Sequence, residues 1–191
     1  IKEQTLCDYR KKYRIPENAV VIAFTGRLLK EKGIYELIES VERYNKKECE
    51  KIYLFLAGEG EEKEYIEAHR SEYIIPVGRL AFEEVVALLE SSDIFCLPSL
   101  SEGFATSALE AASCHCYIIT TERGGTKELV VGNEYGTVMK DNHVDTLYRV
   151  LEDVANDPEK RKKAQKLCYE RLKERFTWEC TTDELERIVN E

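Results

Sequence analysis

Short apolar runs alternate with stretches of helical periodicity through most of this chain. The runs fall at 20–24, 52–57, 73–77, 93–97, 116–120 and 135–139. Several are apolar throughout, the pattern of parallel strands covered on both faces. Between them, Ile34, Leu37, Ile38 and Val41 recur at the spacing of one helix face, and 82–89 reads as a shorter helix. Strand and helix in strict alternation imply right-handed crossovers and an α/β, Rossmann-like, doubly wound parallel sheet of about six strands. Ligands of such a sheet bind at the carboxyl ends of its strands.

The flanks read differently. Ahead of the first run, 5–13 is expected to be a helix ended by the Ile15-Pro16 turn. After the last, Val144, Leu147, Leu151 and Val154 form a helical stripe, and Asp157-Pro158-Glu159 opens a highly charged helix running to about Arg175. Phe176-Thr177-Trp178-Glu179 introduces a final helix. The expectation is one domain over 1–191, with its core at 20–155 and carboxyl-terminal helices at 158–191.

Composition narrows the function. With 43% hydrophobic and 34% charged residues the chain is a globular sequence, not a disordered one. The net charge of −9 argues against a broad nucleic-acid face, although a few local donors suffice for a compact ligand with one or two phosphates. No apolar run approaches the roughly 20 residues that cross a bilayer, so no membrane anchor is expected here. The start, Ile1-Lys2-Glu3-Gln4, is not a signal peptide and has no initiator methionine, so a piece of a longer protein is expected. The seven cysteines include no Cys-x-x-Cys pair. Cys96 and Cys116 sit in apolar runs, as free buried thiols of a reducing compartment would. A cytoplasmic location is therefore expected, with a peripheral position on the inner membrane face left open for the full-length protein. Cys114-His115-Cys116 has no second cluster to complete a four-ligand zinc site, so no metal is expected, and His115 reads as structural.

The segment from Ser99 to Glu110 closes a strand, turns at Gly103 and opens a helix. The amides of Phe104, Ala105, Thr106 and Ser107 would face the mouth of the sheet, ready for an anion. Glu102 precedes them and Glu110 follows about a turn and a half into the helix, where carboxylates suit sugar hydroxyls better than phosphate. At the exit of the first strand, Gly26 allows a close turn past a ligand, Arg27 offers a fork of donors and Lys32 a mobile point charge. Two cations there could hold a diphosphate and the charge it gains on leaving. Ordinary structure also accounts for these residues: Glu102 as a helix cap, Glu110 on the surface, Arg27 and Lys32 as solvated loop cations. Ala57-Gly58-Glu59-Gly60 is a weak phosphate-loop pattern without a Walker lysine or dinucleotide spacing. Val77-Gly78-Arg79-Leu80 could pack a flat base, or simply carry a surface arginine. Arg123-Gly124-Gly125-Thr126-Lys127-Glu128 could bring amides or Glu128 to the pocket edge, or cap a short helix.

In their order these segments resemble the carboxyl-terminal, nucleotide-sugar-binding domain of the retaining GT-B glycosyltransferases that include glycogen and sucrose synthases and many capsule and lipopolysaccharide transferases. The resemblance runs from Val20 to about Val131, through Gly26-Arg27-Leu28 with Lys32-Gly33, Ala57-Gly58-Glu59-Gly60, 93–99, Glu102 with Glu110, and Gly124-Gly125 with Glu128. Phe176-Thr177-Trp178-Glu179 resembles the family's tail, which crosses back toward the partner domain.

The resemblance implies one half of a GT-B fold and a nucleoside-diphosphate sugar as donor, with UDP the expected base and no separate cofactor or metal. It assigns Arg27 and Lys32 to the diphosphate and leaving-group departure, Glu102 to the transferred sugar and Glu110 to the ribose. Gly103, Phe104, Ala105 and Thr106 would approach phosphate and sugar, and Gly26, Gly58, Arg79 and Leu80 complete the donor site. Arg27, Lys32 and Glu102 are the catalytic candidates. Transfer would retain configuration by front-face attack, so the two glutamates are not the acid and nucleophile of a hydrolase. Ala105 stands where the family usually has Gly, narrowing the space beside the sugar, and His115-Cys116-Tyr117 replaces a usual Gly-Thr-Pro turn. Nothing matches the amino-terminal domain that binds the glycan or lipid-linked acceptor, so this fragment is expected to bind donor with little or no transfer. A nucleotide-sugar epimerase half and a non-catalytic interaction module are the alternatives.

Overall fold

The computed structural model describes residues 7–49, 51–103, 105–177, 180 and 182. Its elements follow in chain order. They are α1 (Tyr9–Lys12), β1 (Val20–Thr25), α2 (Ile34–Lys47), β2 (Ile52–Ala57), α3 (Lys63–Ala68), β3 (Ile74–Gly78), α4 (Phe82–Glu90) and β4 (Ile94–Leu97). There follow α5 (Thr106–Ser113), β5 (Tyr117–Thr121), α6 (Thr126–Leu129), β6 (Thr137–Met139), α7 (Val144–Ala155) and α8 (Pro158–Arg175).

All six residues of β1 are buried. It pairs in parallel with β2 from Val20↔Ile52 to Thr25↔Ala57 and, on its other side, with β4 at Ile22↔Ile94 and Ala23↔Phe95. The sheet order is β3-β2-β1-β4-β5-β6, and every pair is parallel. The chain therefore returns from the β3 edge to place β4 beside β1, and the strand order reverses between them. A sheet wound this way opens a crevice at that point, outside the carboxyl ends of β1 and β4.

The apolar stripe of α2 is buried as Ile34, Leu37, Ile38 and Val41, and α7 packs along the same helix with Leu147, Leu151 and Val154. Polar contacts at the rim set their register: Arg43 meets Asp145 at 2.5 Å, and Lys47 reaches the Tyr148 hydroxyl at 2.8 Å and Glu152 at 2.9 Å. At the amino-terminal end of the sheet, Asp93 Oδ2 accepts from Arg10 at 2.6 Å and from the Val21 amide at 2.8 Å. Helix α1 is thus clamped to β1 and β4. Helix α8 lies against α5 and β5, its Gln165 amide donating to Asp93 O at 2.9 Å and its Tyr169 ring 4.1 Å from that of His115. His115 adopts a left-handed φ of 58° between α5 and β5, which supports its structural reading.

Two expectations need correction or limits, and one helix has no counterpart in the sequence pattern. The last strand begins at Thr137, because the Tyr135 amide closes a turn onto Gly132 O at 2.9 Å. Helix α3 was not legible, since only Ile66 of its six residues is buried and one buried position defines no stripe. The amino-terminal helix spans Tyr9–Lys12, capped by Asp8 accepting from the Lys11 amide at 3.1 Å, while Thr5, Leu6, Trp178 and Glu179 lie outside the described residues.

Among the described residues no helix is long and apolar enough to cross a membrane, and no three His, Cys, Asp or Glu side chains gather as a metal site. Cys96, Cys116 and Cys168 are buried as free thiols, whereas Cys7 and Cys49 are exposed. Burial pushes the Cys96 and Cys116 thiols well up and that of Cys168 to about 12. A thiol reagent at neutral pH is expected to label Cys7 and Cys49 first, and Cys96, Cys116 and Cys168 only on unfolding, as peptide mapping would show. Because the folded Cys168 holds its proton more tightly than the ordinary 9.0, its contribution to stability is complete below about pH 9 and is lost as pH rises toward 12.

Candidate functional site

The exits of β1, β2 and β3 are stitched together by backbone. The Gly26 amide donates to Ala57 O at 3.1 Å, the Leu28 amide to Glu59 O at 2.8 Å, and the Gly58 amide to Gly78 O at 2.8 Å. This contact leaves no room for a side chain at Gly58: with φ at 142°, a Cβ there would lie 1.8 Å from the Gly26 carbonyl oxygen. The glycine loop thus brings two strand exits against each other and, on its other side, faces the crevice.

The segment after β4 is held from both flanks. On one side the Leu100 amide donates to Glu31 O at 2.8 Å, and Lys32 Nζ donates to Ser101 O at 3.3 Å and to Glu102 Oε1 at 2.7 Å. On the other, Thr121 Oγ1 donates to Ser99 O at 2.5 Å and the Gly125 amide to Gly103 O at 2.6 Å. Gly124, at φ 87°, backs directly onto this segment, where a Cβ would meet Glu102 O at 2.3 Å and Gly103 O at 2.4 Å. The run from Arg123 to Gly125 therefore buttresses the loop and leads into the short helix α6. Glu128 itself is exposed, and its carbonyl accepts from Arg171 at 2.8 and 3.0 Å.

Helix α5 begins at Thr106 behind Ala105, which is buried and supplies no side-chain cap. Its first backbone bond is from the Ala108 amide to Ala105 O at 3.0 Å. Glu102 does not cap α5; its carboxylate is on Lys32. The capping account of Glu102 is thereby replaced, because an ammonium at 2.7 Å is a stronger partner than a neutral amide.

A cavity of about 520 Å³ opens at the β1/β4 crevice, within the range of small-molecule sites. Seven of the expected residues line it: Gly26, Arg27, Gly58, Arg79, Leu80, Thr106 and Glu110. Lys32, Glu102, Gly103 and Ala105 are outside that lining, and Phe104 is outside the described residues. Arg27 and Arg79 are exposed, and among the described residues neither has a carboxylate within ion-pair distance. The wall also includes Glu59, Ser107, Val85 and Thr25. Thr25 is buried, with a hydroxyl that has no hydrogen-bond partner among the described residues. Its sequence signal is modest but real, as the one polar residue ending an otherwise apolar strand.

Fold and crevice define a Rossmann-like half of a GT-B architecture. The family described as Glycosyl transferases group 1 matches residues 8–171, and the chain belongs to it. An uncharacterized glycosyltransferase of Methanocaldococcus jannaschii is 29% identical over 183 residues, covering 91% of this chain and 47% of that protein. The chain thus spans about half the length, or less, of the curated relatives it matches. The carboxyl-terminal domain of the group 1 glycosyl transferase LpcC from Francisella tularensis superposes with a TM-score of 0.77 at 23% identity, covering 92% of this chain and 94% of that one. Anabaena HepE, solved in complex with UDP and glucose, superposes at 0.79 with 18% identity over 95% of this chain and 50% of its own.

Gly124→Ala is expected to cost roughly 2 kcal/mol or more, since it forces a side chain into the Glu102 and Gly103 carbonyls at a positive φ. Gly103→Ala, with nothing within 4 Å, is expected to stay within about 0.5 kcal/mol of the parent. Urea unfolding of both variants tests this; equal stability would discard the buttress.

Proposed function

We propose that the chain is the donor-binding half of a retaining glycosyltransferase and holds a nucleoside-diphosphate sugar in the β1/β4 crevice. The observation that carries this reading is the convergence of three kinds of recognition in one cavity. Arg27 offers a guanidinium fork without a carboxylate partner among the described residues, the start of α5 offers backbone donors at Thr106 and Ser107, and Glu110 offers a carboxylate. The first two suit a diphosphate and the charge that develops on it, while the third suits ribose hydroxyls. Lys32 and Glu102, on the adjoining loops, would serve the diphosphate and the transferred sugar. Arg79, Leu80 and Val85 form the end of the cavity that suits a flat base.

UDP is the proposed nucleotide, a choice supported by the HepE complex with UDP and glucose. Buried Ala105 is the residue proposed to narrow the choice of donor sugar. Acceptor contacts, to a glycan or a lipid-linked sugar, are assigned to an amino-terminal domain outside this chain, so the chain alone would bind donor with little transfer. A cytoplasmic location goes with this reading, supported by the free thiols.

Arg27→Ala, Lys32→Ala and Glu110→Ala are each expected to weaken nucleoside-diphosphate binding by about tenfold, the loss of one charge-assisted contact, with circular dichroism unchanged. Calorimetry gives the answer, and unchanged affinity in all three variants would reject the assigned site. Saturation-transfer NMR against UDP-, GDP- and ADP-sugars is expected to select the UDP series.

A further inference from the structure

Lys32 and Glu102, two groups assigned to one donor, are spent on each other. Their charged atoms are 2.7 Å apart, with side chains only 11% and 14% exposed. An ammonium so far removed from water needs an anion close by, and the carboxylate supplies it. Of the three protons on Lys32 Nζ, one is directed to Glu102 and one to the Ser101 carbonyl. A phosphate that takes the third stands next to the carboxylate, and two anions on one ammonium in a half-buried site repel strongly.

The two partners differ in their freedom to yield. The Lys32 backbone is pinned, its amide donating to Leu29 O at 3.0 Å and the following Gly33 packing against Pro98. Ser101 and Gly103 on either side of Glu102 are exposed, and a Cβ at Gly103 would meet nothing within 4 Å. The Glu102 backbone is held as well, by the Gly125 amide on Gly103 O at 2.6 Å and by Gly124 behind it, so the room beside these exposed neighbours is for the carboxylate side chain to swing away.

We infer that Glu102 is the internal counter-ion of Lys32, that the donor diphosphate displaces it, and that the displaced carboxylate then accepts from sugar hydroxyls. The inference rests on the donor-site reading above and adds an order of events to it, with phosphate exchange at Lys32 preceding sugar recognition by Glu102. It also gives the site a means of telling donor from product. Either must break the Lys32–Glu102 pair, but only a donor carrying its sugar gives the freed carboxylate a new partner. The pair thereby weakens retention of the spent nucleoside diphosphate.

The test is a double-mutant cycle by calorimetry on the chain, using whichever of UDP, GDP and ADP the parent binds. Glu102→Gln is expected to bind the nucleoside diphosphate roughly fivefold more tightly, the effect of removing one competing ion pair. That gain is expected to vanish in a Lys32→Met background, and to shrink or reverse when the ligand is the intact nucleotide sugar. A Glu102→Gln variant that binds the nucleoside diphosphate no better than the parent would overturn the inference. So would an equal gain in the Lys32→Met background, which would mark a general charge effect. If Arg27→Ala still weakens nucleoside-diphosphate binding by about tenfold in either case, the donor site stands and only the exchange fails. Absence of binding of all three nucleotides by the parent chain would overturn both.

Discussion

The pairing of β1 with β2 on one side and β4 on the other is the constraint on which the rest depends. A strand paired in parallel on both edges, and buried along its length, has only its carboxyl end free to meet a ligand. Because β4 enters beside β1 only after the chain has built β2 and β3, the connections from β1 and β4 leave in opposite directions and part above the sheet. Arg27 and the start of α5 meet in that gap. Glycines then set how closely the exits approach, with the Gly26 carbonyl where a Gly58 side chain would stand.

Electrostatics separates groups that look alike in the sequence. Arg27 is exposed in the cavity without an ion-pair partner among the described residues, whereas Lys32 is buried on a carboxylate. Glu110 lines the cavity from α5, whereas Glu102 stands outside that lining. One cation is thus available for direct recognition and the other is held back. The net charge of −9 is a sum over the whole chain, whereas charges act over about 8 Å in physiological salt, and the cavity itself is lined by two arginines, Arg27 and Arg79, and two glutamates, Glu59 and Glu110.

Much of the fold was legible because burial on both faces leaves a plain mark: the runs at 52–57 and 93–97 match β2 and β4 to within a residue. The helical stripes at Ile34 and Val144 were equally plain, since their partner helix buries the same face over several turns. Helix α3 was not, because it buries one position, Ile66, and is otherwise tied in by Tyr65 stacking on Tyr35 of α2. Tyr135 misled in the other direction: it is apolar enough for a strand but is committed to a turn. In the site, Arg27 and Glu110 stood out from their residue types at a strand exit and a helix start, with roles implied by the family resemblance, whereas Thr25 and Val85 carry no motif and emerge only as walls of the cavity.

The order of residue types was sufficient to specify an α/β sheet, the family and a set of candidate site residues, because periodicity and motif spacing are local properties of the chain. The partners of those side chains are not local. Lys32 and Glu102 are 70 positions apart, and nothing in either segment says that their charges meet at 2.7 Å. A Coulomb interaction depends on separation and on the surrounding dielectric, and both are products of packing. Folding alone therefore turned a loop cation and a presumed helix cap into one ion pair at the mouth of the sheet.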